Sequence, residues 1–166
     1  MKKHFVNEYQ YTSEMAKESI SAWFHKKYII KESIKLCIYA IFCAIFLIIS
    51  KNVIFLVTLL IPPLIFVLMF RARNKTIKTE LERMKVFYGD TVPVVHIEIG
   101  ENITFTSPKG TNHLAYADIE DIIETENLFV LSIKGKMTLA LDKDGFVEGD
   151  SDQCKKYLQL HIAKKK

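Results

Sequence analysis

Few of the residues that cross-link or interrupt a small secreted domain occur in this sequence of 166 residues. It has three cysteines, six glycines, four prolines and one tryptophan. Because two of the three cysteines lie inside one apolar stretch, a secreted fold held together by disulfides is excluded. Charge is also scarce over residues 36–70, where Lys51 is the only ionised side chain. A wholly soluble domain would not concentrate its apolar residues in this way, so we expect a membrane protein.

The apolar stretch has two parts, separated by a short polar group. Residues 36–49 are apolar throughout, and residues 53–70 are interrupted only by Thr58, Pro62 and Pro63. One helix over residues 36–70 would be about 52 Å long, whereas the hydrocarbon core of a bilayer is about 30 Å thick. We therefore predict a transmembrane hairpin, with one helix at residues 34–50 and a turn and second helix at 51–70. A single tilted span with an interfacial remainder is the alternative.

Two features inside the spans have both a packing and a functional interpretation. Pro62-Pro63 removes backbone donors in the middle of the second predicted span, which predicts a kink that packs the helices or, alternatively, a hinge. Ala40 and Ala44 lie four residues apart, which suits close helix packing within one chain or between chains. Neither span contains an acidic residue, so nothing in them indicates an ion path or a proton relay.

Basic residues flank the two spans on one side. Four lysines precede the first span, four basic residues follow the second, and the intervening turn has only Lys51. This asymmetry predicts a multi-pass protein of the cell membrane with both termini in the cytoplasm and the turn outside. Anionic lipids of the cytoplasmic leaflet are the partners expected for the basic residues next to the bilayer, which are Lys26, Lys27, Lys31, Arg71, Arg73, Lys75 and Lys78.

The N-terminal region, residues 1–33, is predicted to contain a strand and an amphipathic helix. Aromatic residues favour a strand within residues 3–11, and we expect it to join the C-terminal sheet. Thr12 or Ser13 is typical of a helix cap. The apolar stripe that follows has two alternatives, namely a helix in the membrane interface or a helix packed on the cytoplasmic domain. Its members are Ala16, Ile20, Trp23 and Phe24.

The region after the spans divides into a basic helix at 71–89 and a domain at 90–166. The domain has nine basic and thirteen acidic residues, which argues against nucleic-acid binding. Its short, evenly spaced apolar runs predict a small antiparallel β-sandwich or barrel that is closed by a C-terminal helix. The expected strands are residues 92–99, 103–106, 113–117, 119–125, 128–133 and 137–141, and the expected helix is 151–164.

The sequence contains no arrangement of residues that is typical of catalysis, cofactor binding or metal binding. The five histidines have no metal-ligand spacing, and the glycines form no phosphate-binding loop. One acidic cluster has two interpretations, a solvated strand edge or an interaction patch. As a patch it would meet the basic stretch Arg71–Lys85 of the same chain or of a second subunit. Its residues are Asp118, Glu120, Asp121 and Glu124, with Glu126 beside them.

The order of the predicted parts resembles the YcxB-like proteins of bacteria over nearly the whole chain, with a strand and helix, two adjacent spans, a basic connector and a small β-domain that ends in a helix. Several local segments also resemble that family. They are Tyr116-Ala117-Asp118-Ile119, Ile123-Glu124-Thr125, Leu128-Phe129-Val130-Leu131 and the turn Asp144-Gly145-Phe146. Where that family often has a proline in this turn, the present chain keeps only Lys143 and Phe146. The resemblance implies a C-terminal domain similar to bacterial pleckstrin-homology domains, in a family with no assigned activity and no catalytic residues to transfer.

The sequence therefore predicts a non-enzymatic membrane protein whose cytoplasmic domain serves as a scaffold or interaction module. The expected partners are membrane lipids, a second copy of the chain or another membrane protein, with no small-molecule substrate evident. The alternative function is an accessory or regulatory subunit of a membrane transporter or secretion complex.

Overall fold

The computed structural model describes residues 4–50, 57–58, 60–89, 91–108, 110–134 and 137–163. Helix α1 (Ser13–Phe24) continues through a π-helical segment (His25–Ile29) into α2 (Ile30–Ser50), and α3 (Ile61–Tyr88) and α4 (Ser151–Ala163) follow. The strands are β1 (Phe5–Gln10), β2 (Val94–Ile99), β3 (Ile103–Ser107), β4 (Gly110–Leu114), β5 (Ile119–Glu124), β6 (Leu128–Ile133), β7 (Met137–Asp142) and β8 (Phe146–Glu148).

The strands form two antiparallel sheets. One has the order β4-β3-β2-β1-β8 and the other the order β5-β6-β7. The N-terminal strand lies between β2 and β8, with Phe5 opposite Ile99 and Gln10 opposite Val94. The prediction that the N-terminal strand joins the C-terminal sheet is therefore confirmed.

Strand β6 is the centre of the core, because its side chains are buried on both faces. Phe129 and Leu131 face the five-stranded sheet and α4, where they pack with Ile97, Leu141 and Leu158. Leu128 and Val130 face the opposite direction and pack with residues of α1. The result is a layered structure in which the three-stranded sheet lies between α1 and the five-stranded sheet.

Helix α1 begins at the predicted cap and packs on the domain. The Thr12 hydroxyl accepts a hydrogen bond from the N–H of Met15 at 3.3 Å, which satisfies one free donor at the helix start. The apolar stripe of α1 is buried, and Trp23 and Phe24 contact Val130 and Ala140. Of the two alternatives for this helix, packing on the domain is therefore right, and the helix in the membrane interface is wrong.

Side chains of β1 close the gap between the two sheets at the edge of β7. The amide of Asn7 donates to the Asp142 carbonyl at 2.7 Å and accepts from the Asp142 N–H at 3.1 Å. The Tyr9 hydroxyl donates to the Ala140 carbonyl. These groups provide partners for the Asp142 N–H and the Ala140 carbonyl at the edge of β7, and burial raises the pKa of the Tyr9 phenol.

Several predicted boundaries differ from the structure. The third strand lies at Gly110–Leu114 rather than at 113–117, because Tyr116–Asp118 forms a 3₁₀ turn. Strand β8 was not predicted, since three residues are too few to show an alternation of apolar and polar side chains. No helix boundary exists at residue 34 or at 70–71, since α2 continues from the π-helical segment and α3 runs from Ile61 to Tyr88. Lys51, Lys109, the turn residues Gly135 and Lys136, and Lys164–Lys166 lie outside the described residues.

The proline pair lies at the start of a helix rather than in the middle of one. Pro62 and Pro63 occupy the first turn of α3. Proline is well tolerated there, because the first N–H groups of a helix have no partner within the helix. Residues 57–58 before α3 are also helical, so the predicted kink of the second span stays a prediction.

Among the described residues, one helical run is long and apolar enough to cross a membrane. It covers Ser13–Ile49, a length of 37 residues. The second predicted span falls partly on residues 51–56 and 59, which lie outside the described residues.

We expect Asn7→Ala to destabilise the domain strongly. The change leaves the Asp142 N–H without a partner, whereas the Asp142 carbonyl keeps the Gly145 N–H at 3.2 Å. Since one unsatisfied buried group costs about 1–3 kcal/mol, the free energy of unfolding should fall by about that amount, measured by urea titration in detergent with the fluorescence of the single tryptophan. The matched control is Gln10→Ala, an exposed position on the same strand. Equal loss in both variants would contradict the closing role of Asn7.

We expect the stability of the domain to depend on pH through a histidine on the outer face of the five-stranded sheet. His96 lies between Glu8 and Glu98, with each ring nitrogen 3.2 Å from a carboxylate oxygen. The hydrogen bond with Glu8, supported by Glu98, raises the pKa of His96 above its ordinary value of 6.5. Its stabilising contribution is complete below 6.5 and is lost as the pH rises through the higher folded value. Melting temperatures between pH 5 and 8 should decline less in His96→Gln and in Glu8→Gln/Glu98→Gln than in the native chain. An unchanged pH profile in both variants would show that this contact is unimportant.

Candidate functional site

The candidate site is the joint where the long helix leaves the β-domain. Trp23 ends the domain-packed part of the helix, and its indole N–H donates to the Ser132 hydroxyl on β6 at 3.1 Å. The Tyr28 ring lies 5.5 Å from the Trp23 ring and 5.0 Å from the Phe24 ring. This aromatic group joins the π-helical segment to α1, so the direction of the emerging helix is set by contacts with β6.

Two ion pairs fix the π-helical segment to the edge of β5. Lys26 lies 2.7 Å from Asp121, and Lys27 lies 3.1 Å from Glu120. The Lys26 ammonium also donates to the Ile122 carbonyl at 3.4 Å, and Lys27 lies 5.2 Å from the centre of the Trp23 ring. A π-helical turn contains an extra residue, which rotates the residues after it about the helix axis. Both lysines thereby reach β5 from a helix whose preceding apolar face contacts β6 and β7.

The structure pairs the acidic cluster with residues other than those expected. Glu120 and Asp121 contact the π-helical segment rather than the basic stretch Arg71–Lys85, so the intrachain form of that hypothesis is wrong. Glu124 pairs with Lys143 at 3.1 Å and with Lys155, and these partners lower the pKa of Glu124. Asp118 ends the 3₁₀ turn before β5. The basic stretch has acidic neighbours of its own, with Lys78 near Glu82 and Arg83 near Glu80.

The predicted lipid-contact residues fall into two groups. Lys26 and Lys27 are occupied by carboxylates of the domain, so part of their charge is already balanced. In the other group, Arg73 is half-buried and lies 5.1 Å from the Phe70 ring. The remaining members are exposed, namely Lys31, Arg71, Lys75 and Lys78. Only this second group presents charge that is not taken up by the β-domain.

A cleft runs between α3 and the β-domain, on both sides of Tyr11. It comprises adjoining cavities of about 290, 380 and 350 Å³. Burial raises the pKa of the Tyr11 phenol, and the charge of Glu80 on α3 adds to this effect. Arg83 lies 3.7 Å from Glu80 on the same helix. Sequence reasoning missed the cleft, because Tyr11 and the α3 residues are far apart along the chain and neither segment contains a recognisable motif.

A cluster of polar side chains lies where α4 covers the sheets. The hydroxyls of Tyr116 and Tyr157 both donate to the Gly100 carbonyl, at 2.6 and 3.0 Å. The centre of the His161 ring lies 5.0 Å from that of Tyr116 and 4.0 Å from that of Tyr157. Burial raises the pKa of the nearby Cys154 thiol to about 12. This group attaches α4 to the sheet. Among the described residues, no group of three histidine, cysteine or acidic side chains has a geometry that would hold a metal ion.

The family comparison matches the part of the domain that contains these groups. The model of the family described as YcxB-like protein matches residues 100–158. This segment is similar to that family. The predicted resemblance is thereby confirmed over β3 to most of α4, whereas β1, β2 and the long helices lie outside the match. A search of curated proteins and a search of solved structures found no match to this chain.

We expect the two ion pairs at the joint to restrain the backbone of the π-helical segment. Replacing Glu120 and Asp121 by Gln and Asn removes both ion pairs without changing side-chain size. Since exposed pairs contribute about 0.2–1 kcal/mol each, loss of both should accelerate amide hydrogen exchange in His25–Ile29 by about two- to thirtyfold. The control Glu124→Gln removes a carboxylate whose lysines are on the domain itself, and it should leave this segment unchanged. Equal acceleration in the control would show that the two pairs do not restrain the joint.

Proposed function

We propose that this chain is an integral membrane protein with two spans and a cytoplasmic interaction domain attached to them. The domain is pleckstrin-homology-like in having two packed antiparallel sheets and a C-terminal helix. It acts by binding other macromolecules rather than by catalysis. Two observations support this proposal, namely the YcxB-like match of residues 100–158 and the long apolar helix.

Membrane insertion of α2 is supported by its surface. Large apolar side chains on this helix are exposed in the isolated chain, and Ile48, for example, is 76% exposed. An apolar surface of this extent is unfavourable in water and is what a helix in lipid presents. The exposed residues are Ile30, Ile34, Ile38, Ile41, Phe42, Ile45, Phe46, Ile48 and Ile49.

The pairing of β1 with β2 is the single observation that carries the two-span topology. Both strands belong to one sheet, and all of α2 and α3 lies between them in the chain. Two strands that exchange backbone hydrogen bonds must be on the same side of a membrane. The segment between them therefore crosses an even number of times, so a single crossing by α2 requires a second crossing back.

A contact made just before α3 supports a return of the chain along α2. The Thr58 hydroxyl, three residues before α3 begins, donates to the Cys43 sulfur of α2 at 3.5 Å, and both Cys43 and Pro62 at the start of α3 are buried. Exposed apolar side chains then continue on α3 up to Phe70. The next residues are Arg71 and Arg73, which suit the boundary between lipid and cytoplasm.

The orientation and lipid contacts follow from the same charges. Basic residues precede α2 and follow the apolar part of α3, so both termini are assigned to the cytoplasm. Anionic lipid headgroups are assigned to Lys31, Arg71, Lys75 and Lys78, because these exposed side chains are adjacent to the apolar segments. Lys26 and Lys27 would reach lipid only by leaving Asp121 and Glu120.

Accessibility of introduced cysteines tests the topology. Single cysteines at Lys51, Lys75 and Lys156, in a chain with Cys37→Ala, are treated with a membrane-impermeant maleimide in intact cells and after permeabilisation. We expect residue 51 to react in intact cells, and residues 75 and 156 to react only after permeabilisation. The chain with Cys37→Ala and no added cysteine measures labelling of the buried Cys43 and Cys154.

Two outcomes would contradict the proposal. Extraction of the chain by alkaline carbonate without detergent would show that it does not span the bilayer. Reaction of residue 75 in intact cells, together with protection of residue 51, would reverse the assigned orientation.

A further inference from the structure

Exposed edges of β-sheets attract other strands, and three of the four sheet edges that the described residues form are protected. At the edge of β7, Asn7 and Tyr9 satisfy the backbone of Asp142 and Ala140. At the edge of β5, the Asp121 carboxylate accepts from the Ile122 N–H at 2.9 Å, and Lys26 donates to the Ile122 carbonyl. Strand β8 is only three residues long, and its pairing with β1 is irregular. Three edges are therefore blocked by different means.

The edge of β4 has none of these protections. It pairs with β3 over five consecutive residue pairs without a bulge, and it contains no charged residue and no proline. Its residues are exposed apart from the half-buried Leu114. Within the described part of the chain, no side chain or backbone group bonds to the backbone of Thr111–His113 from the side away from β3.

The hairpin geometry identifies which backbone groups of β4 point outward. Ser107 and Gly110 are opposite each other across a two-residue connection, and such closing pairs exchange backbone hydrogen bonds. Because bonded and non-bonded pairs alternate, Asn112 bonds to β3, whereas the N–H and C=O groups of Thr111 and His113 point away from it. The side-chain contacts Thr106–Thr111 (3.1 Å) and Thr104–His113 (3.2 Å) agree, since side chains are closer in non-bonded pairs.

We propose that β4 pairs with β4 of a second copy of this chain, antiparallel and centred on Asn112. In this register Thr111 of each copy lies opposite His113 of the other. Both are hydrogen-bonded pairs, so every outward backbone group of Thr111 and His113 in each copy gains a partner. The five-stranded sheets of two molecules become one continuous sheet across a two-fold axis at Asn112.

The strand is self-complementary, which favours a second copy as the occupant. With no charged residue in β4, two copies meet without like-charge repulsion. A threonine opposite a histidine also repeats the contact that His113 already makes with Thr104 on β3. Registers centred on Thr111 or His113 would pair only one of the two outward residues within the strand, and the latter would oppose two imidazoles.

The short interface matches an encounter in a membrane. Pairing of one five-residue strand is weak for molecules free in solution. Anchoring in one bilayer raises the effective concentration of two copies, and in this respect the inference rests on the proposed function.

Disulfide cross-linking tests the register. Asn112→Cys is placed in the full chain with Cys37→Ala and reconstituted into phosphatidylcholine vesicles under mild oxidation. Opposite residues of a non-hydrogen-bonded pair are close enough for a disulfide, so we expect at least about fivefold more covalent dimer than from Thr111→Cys or His113→Cys alone. Equal cross-linking at all three positions would indicate random collision and overturn the proposal, as would no dimer at position 112.

Proline substitutions provide a second readout that separates pairing from folding. His113→Pro removes an outward N–H that β3 does not use, so it should abolish the cross-link at position 112 with little change in melting temperature. Asn112→Pro, tested in a chain without the added cysteine, removes an N–H that bonds to β3 and should lower the melting temperature. A cross-link at position 112 that persists in His113→Pro would overturn the assigned pairing.

The two proposals fail in different ways. A chain that spans the membrane in the accessibility experiment but gives no dimer at position 112 retains the proposed function without β4 pairing. A chain extracted by carbonate loses the membrane assignment, and cross-linking of the soluble protein at high concentration then decides the pairing alone.

Discussion

The burial of β6 on both faces is the constraint on which the rest of the structure depends. One face of this strand needs the five-stranded sheet, and the other needs α1. Neither layer can be removed without exposing large apolar side chains, whose burial contributes about 1.5–3 kcal/mol each. Since α1 continues directly into the apolar helix α2, the packing that stabilises the domain also holds the start of that helix. The domain and the base of the apolar helix are therefore parts of one folding unit.

The features of the fold that could be predicted were those with a strong local signal. The apolar content of residues 36–49, the alternation in β2 and β3, and the cap at Thr12 each depend on neighbouring residues and were read correctly. The N-terminal strand was also expected to join the sheet, because an exposed aromatic strand would otherwise leave unpaired edges. Strand β8 was missed, since it is held by contacts with β1 rather than by its own pattern.

The parts of the site that could not be predicted depend on contacts between distant segments. Lys26 and Asp121 are separated by most of the chain, and a lysine next to a predicted span is equally compatible with lipid. Only the packing of Trp23 on β6 decides the question, because it brings the π-helical segment against β5. The place of Pro62 and Pro63 in the first turn of α3 was not predicted for a related reason, since a proline pair starts a helix or bends one depending on where the previous turn ends.

The position of β1 has a consequence for biosynthesis. This strand leaves the ribosome before either apolar helix, yet its neighbours β2 and β8 are made after both. Under the proposed two-span topology, the first residues wait, unpaired and with aromatic side chains exposed, while both spans are inserted. Completion of the sheet in that topology closes a loop that contains both spans, so a chain whose spans insert incorrectly cannot finish its domain. Folding of the domain would in this way report successful insertion and leave misinserted chains open to proteolysis.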